Sequence, residues 1–156
     1  MAGRLHQINV SQGGVPKLPV PEARITAAGV EGDGQADKVH HGGPLQTVCL
    51  YSREVIEALR EEGHTIFPGA AGDNLTFEGI EWESIGPGTR LRVGRVLLEV
   101  TVPTTPCYKN ARWFVDGRFG RIHHERHPGW SRMYAVVLEE GLVRTGDEVE
   151  IVEGEQ

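Results

Sequence analysis

The chain of 156 residues has no apolar run near the roughly 20 residues that a membrane-crossing helix needs, so no helical membrane span is expected. Nor does an apolar stretch follow the basic start of residues 1–6, so no secretory signal is read and the expected location is the cytoplasm. Cysteine is scarce. Cys49 and Cys107 are too few for a disulfide framework or an iron–sulfur cluster, and their spacing is not that of a structural zinc site. Excess positive charge is also missing. Lys and Arg number 16 against 22 Asp and Glu, a formal net charge of −6 with the acids scattered, and such a surface repels duplex nucleic acid. Several catalytic signatures are absent as well: the GxxxxGK[ST] phosphate loop, the HExxH zinc motif, the GxSxG elbow and a carboxylate pair suited to glycoside chemistry.

What is abundant is punctuation. There are 21 glycines and 9 prolines, which cut the chain into short pieces, the pattern of a β domain with many turns. Hydrophobic residues at 38% and charged residues at 24% are ordinary for a globular protein, and the length suits one domain over residues 1–156. Strands are expected at 5–10, at 23–28 where Gly29 ends the run, at 47–51 and at 74–77. A hairpin is expected from 91–93 and 96–102 about Gly94-Arg95. Further strands are expected at 133–138, 142–143 and 149–152, the last two flanking a turn at Thr145-Gly146-Asp147. One clear helix is predicted over about 52–62, with Ser52 as N-cap, Val55, Ile56 and Leu59 on one face, and Gly63 as the C′ stop. Together these predict a mostly β fold, a closed or partly closed barrel.

Cys107 is read as the chemical centre. A strand runs out at Val102, Pro103 and Pro106 set the exit path, and Lys109 and Arg112 follow closely. Nearby cations favour a thiolate, which is both nucleophile and soft metal ligand. The alternative is a small buried hydrophobe, the usual fate of a free cysteine. Cys49, between Val48 and Leu50, reads as structural. Lys17, after Gly13-Gly14 and between two prolines, is held more rigidly than a surface lysine and could meet an anion; a solvated turn lysine is the other reading. The polar loop 29–44 contains Asp33 and His41, which could serve acid–base or orienting roles, or simply cap turns. His123, His124 and His127 are read as a solvated basic turn, because Pro128-Gly129 ends any helix that would align them.

In their order and spacing these segments resemble the MOSC domain family, named after the C-terminal domain of molybdenum cofactor sulfurase. The resemblance runs over about 13–152. It takes in Gly13-Gly14-Val15-Pro16-Lys17, Gly32-Asp33-Gly34, His41-Gly42-Gly43, Pro68-Gly69-Ala70-Ala71-Gly72-Asp73-Asn74-Leu75, the turn 86–94, Thr105-Pro106-Cys107 and the closing 141–152. It implies a β-barrel with a few short helices and binding of the molybdenum cofactor, a pterin dithiolene ending in a phosphate. Cys107 then matches the family cysteine that ligates molybdenum or carries sulfur. Lys17 matches a lysine that lines the same site, and Asp33, His41 and Asn74 match other recurrent positions. With Lys109, these are the expected cofactor-binding residues. Asp73 stands where the family more often has Glu, so residue 73 is given no catalytic role. The sequence holds neither the pyridoxal-phosphate half of the sulfurase nor the ferredoxin-like segment of some relatives. The resemblance therefore implies an oxidoreductase for N-hydroxylated or N-oxide compounds served by a partner reductase. Its alternatives are a module that delivers cofactor or Cys107-bound persulfide to another enzyme, such as one of cofactor biosynthesis, and a scaffold that no longer binds cofactor.

Overall fold

The computed structural model describes residues 2–34 and 46–152. The short extended pieces become eleven strands among these residues: β1 (Ala2–Val10), β2 (Leu18–Val20), β3 (Glu22–Thr26), β4 (Gly29–Val30), β5 (Val48–Ser52), β6 (Leu75–Glu78), β7 (Arg90–Val93), β8 (Val96–Pro103), β9 (Met133–Glu139), β10 (Gly141–Arg144) and β11 (Glu148–Val152). One α-helix, α1 (Arg53–Glu61), lies between β5 and β6, and short 3-10 turns occupy Trp82–Ser84, Tyr108–Trp113, Val115–Gly117 and Phe119–Ile122. None of the described helices is long and apolar enough to cross a membrane.

Seven strands close on themselves in the order β1-β11-β7-β8-β9-β5-β6 and back to β1, with β2 added beside β1. Closure leaves no free edge around the barrel. Every neighbouring pair is antiparallel except β5 and β6, which are parallel. A parallel pair cannot be joined by a tight turn, and α1 supplies the crossover. The helix begins where predicted: Ser52 Oγ accepts from the Val55 amide at 3.2 Å, and Gly63 sits beyond the last turn at φ 103°. Arg53 pairs with Glu57 on its exposed side at 3.0 Å.

The barrel interior is apolar. Leu5, Ile8, Leu50, Leu75, Phe77, Leu91, Val93, Leu98, Ala135 and Val149 are all fully buried. In β7 the alternation is plain: Leu91 and Val93 point in, while Arg90 points out to Glu99 of the adjacent β8 at 2.9 Å and Arg92 reaches Glu139 of β9, two strands away, at 2.7 Å. β1 keeps Leu5 and Ile8 inside although they are three residues apart, because the register against β6 shifts between Leu5 and Gln7. An extra residue there turns the side chains by one position, which a period of two would otherwise forbid.

One expectation is corrected. Ala27 and Ala28 form the turn of a small hairpin instead of continuing a strand, and Gly29 begins β4 rather than ending β3. Residues 142–143 and 149–152 do flank a turn, but they go to different sheets: β10 joins β3 and β4, whereas β11 closes the barrel. All five residues of β5 are buried, so both of its faces are covered. The outer face, bearing Cys49 and Tyr51, meets the long connection from β8 to β9, where the Tyr51 hydroxyl donates to the Trp130 carbonyl at 2.7 Å.

Candidate functional site

The connection after β8, the turn after β1 and the loop entering β6 meet against the outer face of β5 and β9, where Cys49 and Tyr134 pair. Between them lies a cleft of about 700 Å³, its open mouth included.

One wall is a buried polar network. Lys17 Nζ donates to Asp33 Oδ2 at 2.6 Å, and the two side chains are only 11% and 4% exposed. Asp33 also accepts from the Ser11 amide at 3.0 Å and from Asn74 Nδ2 at 3.0 Å. Asn74 completes the frame. Its Oδ1 accepts from the Cys49 amide at 3.0 Å, and its Nδ2 also donates to the Asn9 carbonyl at 3.3 Å. Its backbone bonds both Cys49 and Asn9 at 2.7 Å. Asn74 therefore stitches β1 to β5 just ahead of β6 and holds Asp33 under Lys17. The backbone is pinned as well: the Lys17 amide donates to the Gly69 carbonyl at 2.9 Å. Gly69 has φ 87°, and a Cβ there would collide with the Lys17 carbonyl oxygen. Lys17 is thus no solvated turn lysine.

Cys107 stands across the cleft. Its thiol is free and half-buried, and its carbonyl accepts the Asn110 amide at 2.9 Å to start the 3-10 turn Tyr108–Trp113. Pro103 still pairs with Met133 of β9, and Pro106 is buried, so the exit path is packed. Of the two cations expected near this thiol, Lys109 is exposed and lines the cleft. Arg112 does not line it. Arg112 donates to the Val15 carbonyl at 2.8 Å and lies over the Trp113 ring at 4.5 Å. Cys49 forms part of the floor, its Sγ 3.9 Å from Thr104 Oγ1, and burial pushes its thiol pKa up. This agrees with a structural role.

Two residues of the cleft escaped the sequence reading. Arg132 is 4% exposed; its Nη1 donates to the Ala71 carbonyl at 2.6 Å, while its Nε has no partner among the described residues. Asn110 is 2% exposed, and its Oδ1 likewise lacks a partner. The position of Arg132, a charge abutting the apolar run of β9, was the only available signal. Asp73 is fully buried away from the cleft lining. Its carboxylate accepts Thr76 Oγ1 at 2.6 Å and the Gly69 amide at 3.0 Å, and burial pushes its pKa up. That is a turn-holding role.

His41 lies outside the described residues. Gly34 and Gln46, which border that segment, both line the cleft. The 123–127 run forms turns, with Glu125 N donating to His123 Nδ1 at 3.2 Å and His123 stacked on His124. Among the described residues no three His, Cys, Asp or Glu side chains converge as metal ligands.

A closed barrel with a thiol-bearing cleft on its outer face defines the class. The MOSC domain family model matches residues 37–150, and the chain belongs to that family. It is 34% identical over 141 residues to the uncharacterized protein YflK of Bacillus subtilis strain 168, across 89% of this chain and 63% of that protein. It is 31% identical over 121 residues to the protein YiiM of Escherichia coli strain K12, across 74% of this chain and 53% of that one. The chain thus spans less than two thirds of either relative. The crystal structure of YiiM from Escherichia coli superposes with a TM-score of 0.70 at 25% identity, covering 100% of this chain and 72% of YiiM.

Proposed function

We propose that residues 1–156 form one MOSC domain that binds the molybdenum cofactor through Cys107 and reduces N-hydroxylated or N-oxide compounds with electrons from a partner reductase. The observation that carries this reading is a free, half-buried thiol in a cleft whose described lining has Lys17, Lys109 and Arg132 and no carboxylate. A thiolate suits a soft, sulfur-rich metal centre, and cations suit a ligand that ends in a phosphate. These residues fit the group. When bound, the cofactor would supply the two-electron redox chemistry.

The chain's own part is binding and orientation. Pro103, paired with β9, and the buried Pro106 fix the path of the backbone that brings Cys107 to the cleft. Asp33 and Asn74 fix Lys17 in the wall, Lys109 guards the mouth, and His41 joins the set by family resemblance. The buried floor of Cys49 and Tyr134 excludes water from below.

The test is turnover of an N-hydroxylated compound by protein loaded in a cofactor-producing host, with an artificial electron donor. Wild type should turn over, and Cys107→Ser should lose activity while keeping its thermal unfolding midpoint. Full activity in Cys107→Ser overturns the reading. Persulfide on Cys107 without turnover would instead favour the carrier role.

A further inference from the structure

The run 117–127 lines no part of the Cys107 cleft, and a second groove opens along it. The groove holds about 990 Å³, its open mouth included, and shares no lining residue with the cleft. Its walls carry Arg118, Arg121, Arg126, His123 and His127 beside Phe119, and its described lining has no carboxylate. Short backbone turns gather these side chains. The Arg121 amide donates to the Arg118 carbonyl at 3.2 Å, and the Arg126 and His127 amides share the His123 carbonyl at 3.1 and 2.9 Å.

The three arginines are held differently. Arg121 is clamped: its Nε and Nη2 fork onto the Glu62 carboxylate at 2.9 and 2.8 Å, and its guanidinium lies over the Trp130 ring at 4.0 Å. A forked pair fixes the side chain and spends its charge. Arg118 and Arg126 are exposed, and neither makes a side-chain hydrogen bond or ion pair among the described residues. Arg126 is nevertheless packed. The three atoms nearest to a Cβ built on Gly120 all belong to Arg126, with Nη1 at 2.7 Å. Gly120 is not at positive φ, so the close approach of the guanidinium, and not the backbone, is what glycine serves there. Two unpaired arginines in one concave, carboxylate-free groove focus a positive field on it. The chain as a whole is acidic, with a net charge of −6. An extended polyanion such as a nucleic-acid strand would run on over that acidic surface, whereas a compact anion stays within the groove.

We propose that this groove binds the diphosphate group of a small molecule, held by Arg118 and Arg126. Two unpaired guanidiniums match two linked phosphoryl groups, and each presents the planar fork of N–H donors that phosphate oxygens accept. Arg121 is a positioning residue: tied to Glu62 at the end of α1, it fixes the turn Phe119–Ile122 between the two arginines that hold the ligand. The site does not depend on the cofactor reading of the Cys107 cleft.

The probe is pyrophosphate, titrated at constant ionic strength into protein free of cofactor and followed by calorimetry. Wild type should bind it saturably. Arg118→Gln and Arg126→Gln should each weaken binding about 10-fold, and the double variant about 100-fold. Both residues are exposed and unpartnered, so the fold survives either change. Gly120→Ala alters no charge, yet its methyl displaces the Arg126 guanidinium, and affinity should fall toward that of Arg126→Gln. Arg24→Gln, the same charge change on an exposed strand position, should bind like wild type, and Lys109→Gln at the mouth of the Cys107 cleft should leave this affinity unchanged. Citrate, a polyanion without phosphoryl groups, should bind more weakly than pyrophosphate. No saturable binding in wild type overturns the inference. Wild-type affinity in the double variant, with the loss appearing in Lys109→Gln, places the anion in the other cleft and overturns it too. Wild-type affinity in Gly120→Ala, or citrate binding as tightly as pyrophosphate, would reduce the groove to diffuse charge and refute a built diphosphate site.

Discussion

Replacing Asp33 with Asn removes the charge and turns the acceptor shared by Lys17 Nζ and Asn74 Nδ2 into a donor. Asn keeps an oxygen for the Ser11 amide, so the turn can survive, but Lys17 Nζ loses its counter-ion while its side chain stays 11% exposed. Breaking a buried pair on one side costs about 3–5 kcal/mol, because the remaining charge is stranded. Lys17 is not wholly sealed, so a value near the lower end, about 3 kcal/mol, is expected. The second half of the argument is sharper. Removing both charges in Asp33→Asn with Lys17→Met strands no charge, and only the Asn74 Nδ2 bond stays broken. The double variant should therefore be more stable than Asp33→Asn alone, with a coupling of about 2 kcal/mol or more, within the range of neighbouring buried groups. Urea unfolding at fixed pH gives all four corners of the cycle. A loss under about 1 kcal/mol in Asp33→Asn, with additive single effects, would show that the pair is solvated and the wall is not built as described.

Gly69→Ala should cost about 2 kcal/mol or more, since φ 87° disfavours any side chain and the new Cβ meets the Lys17 carbonyl; thermal unfolding measures it. Asp73 has a raised pKa in the fold, so the folded state holds its proton more tightly than the unfolded chain. Its contribution is full below the ordinary aspartate value of about 3.9 and is lost as pH rises through the raised one. Stability of Asp73→Asn relative to wild type should accordingly improve as pH climbs above that value, and a flat difference would refute the assignment. Native protein treated with iodoacetamide should be alkylated at Cys107 well before Cys49, whose thiol is buried; mass spectrometry after brief exposure reads the order, which urea should abolish.

Local chemistry made α1 legible in the sequence, because Ser52, the Val55-Ile56-Leu59 face and Gly63 signal within one short window. The β7–β8 hairpin was legible for the same reason, through Leu91, Val93 and the Gly94-Arg95 turn. β2 was not: Leu18-Pro19-Val20 has no strand pattern of its own and is extended only because β1 offers its edge. Ala27-Ala28 carries no turn signal either. That turn is held from outside by Glu140 Oε2 accepting the Ala27 amide at 2.7 Å, and from within by Thr26 Oγ1 accepting the Ala28 amide at 3.1 Å. The Leu5/Gln7 register shift needs two partner strands to exist. At the site, Cys107 stood out through its prolines, and Lys17 through its setting. Arg132 did not, because its burial arises only when Ala71 and Thr104 close over it; alone, an arginine before an apolar strand reads as surface.

The most direct test of the central claim is the molybdenum and pterin content of protein purified from a molybdate-supplied host able to make the cofactor, wild type beside Cys107→Ala. The account predicts both components together in wild type and their loss in the variant. Neither in wild type, or equal amounts in the two proteins, would contradict it.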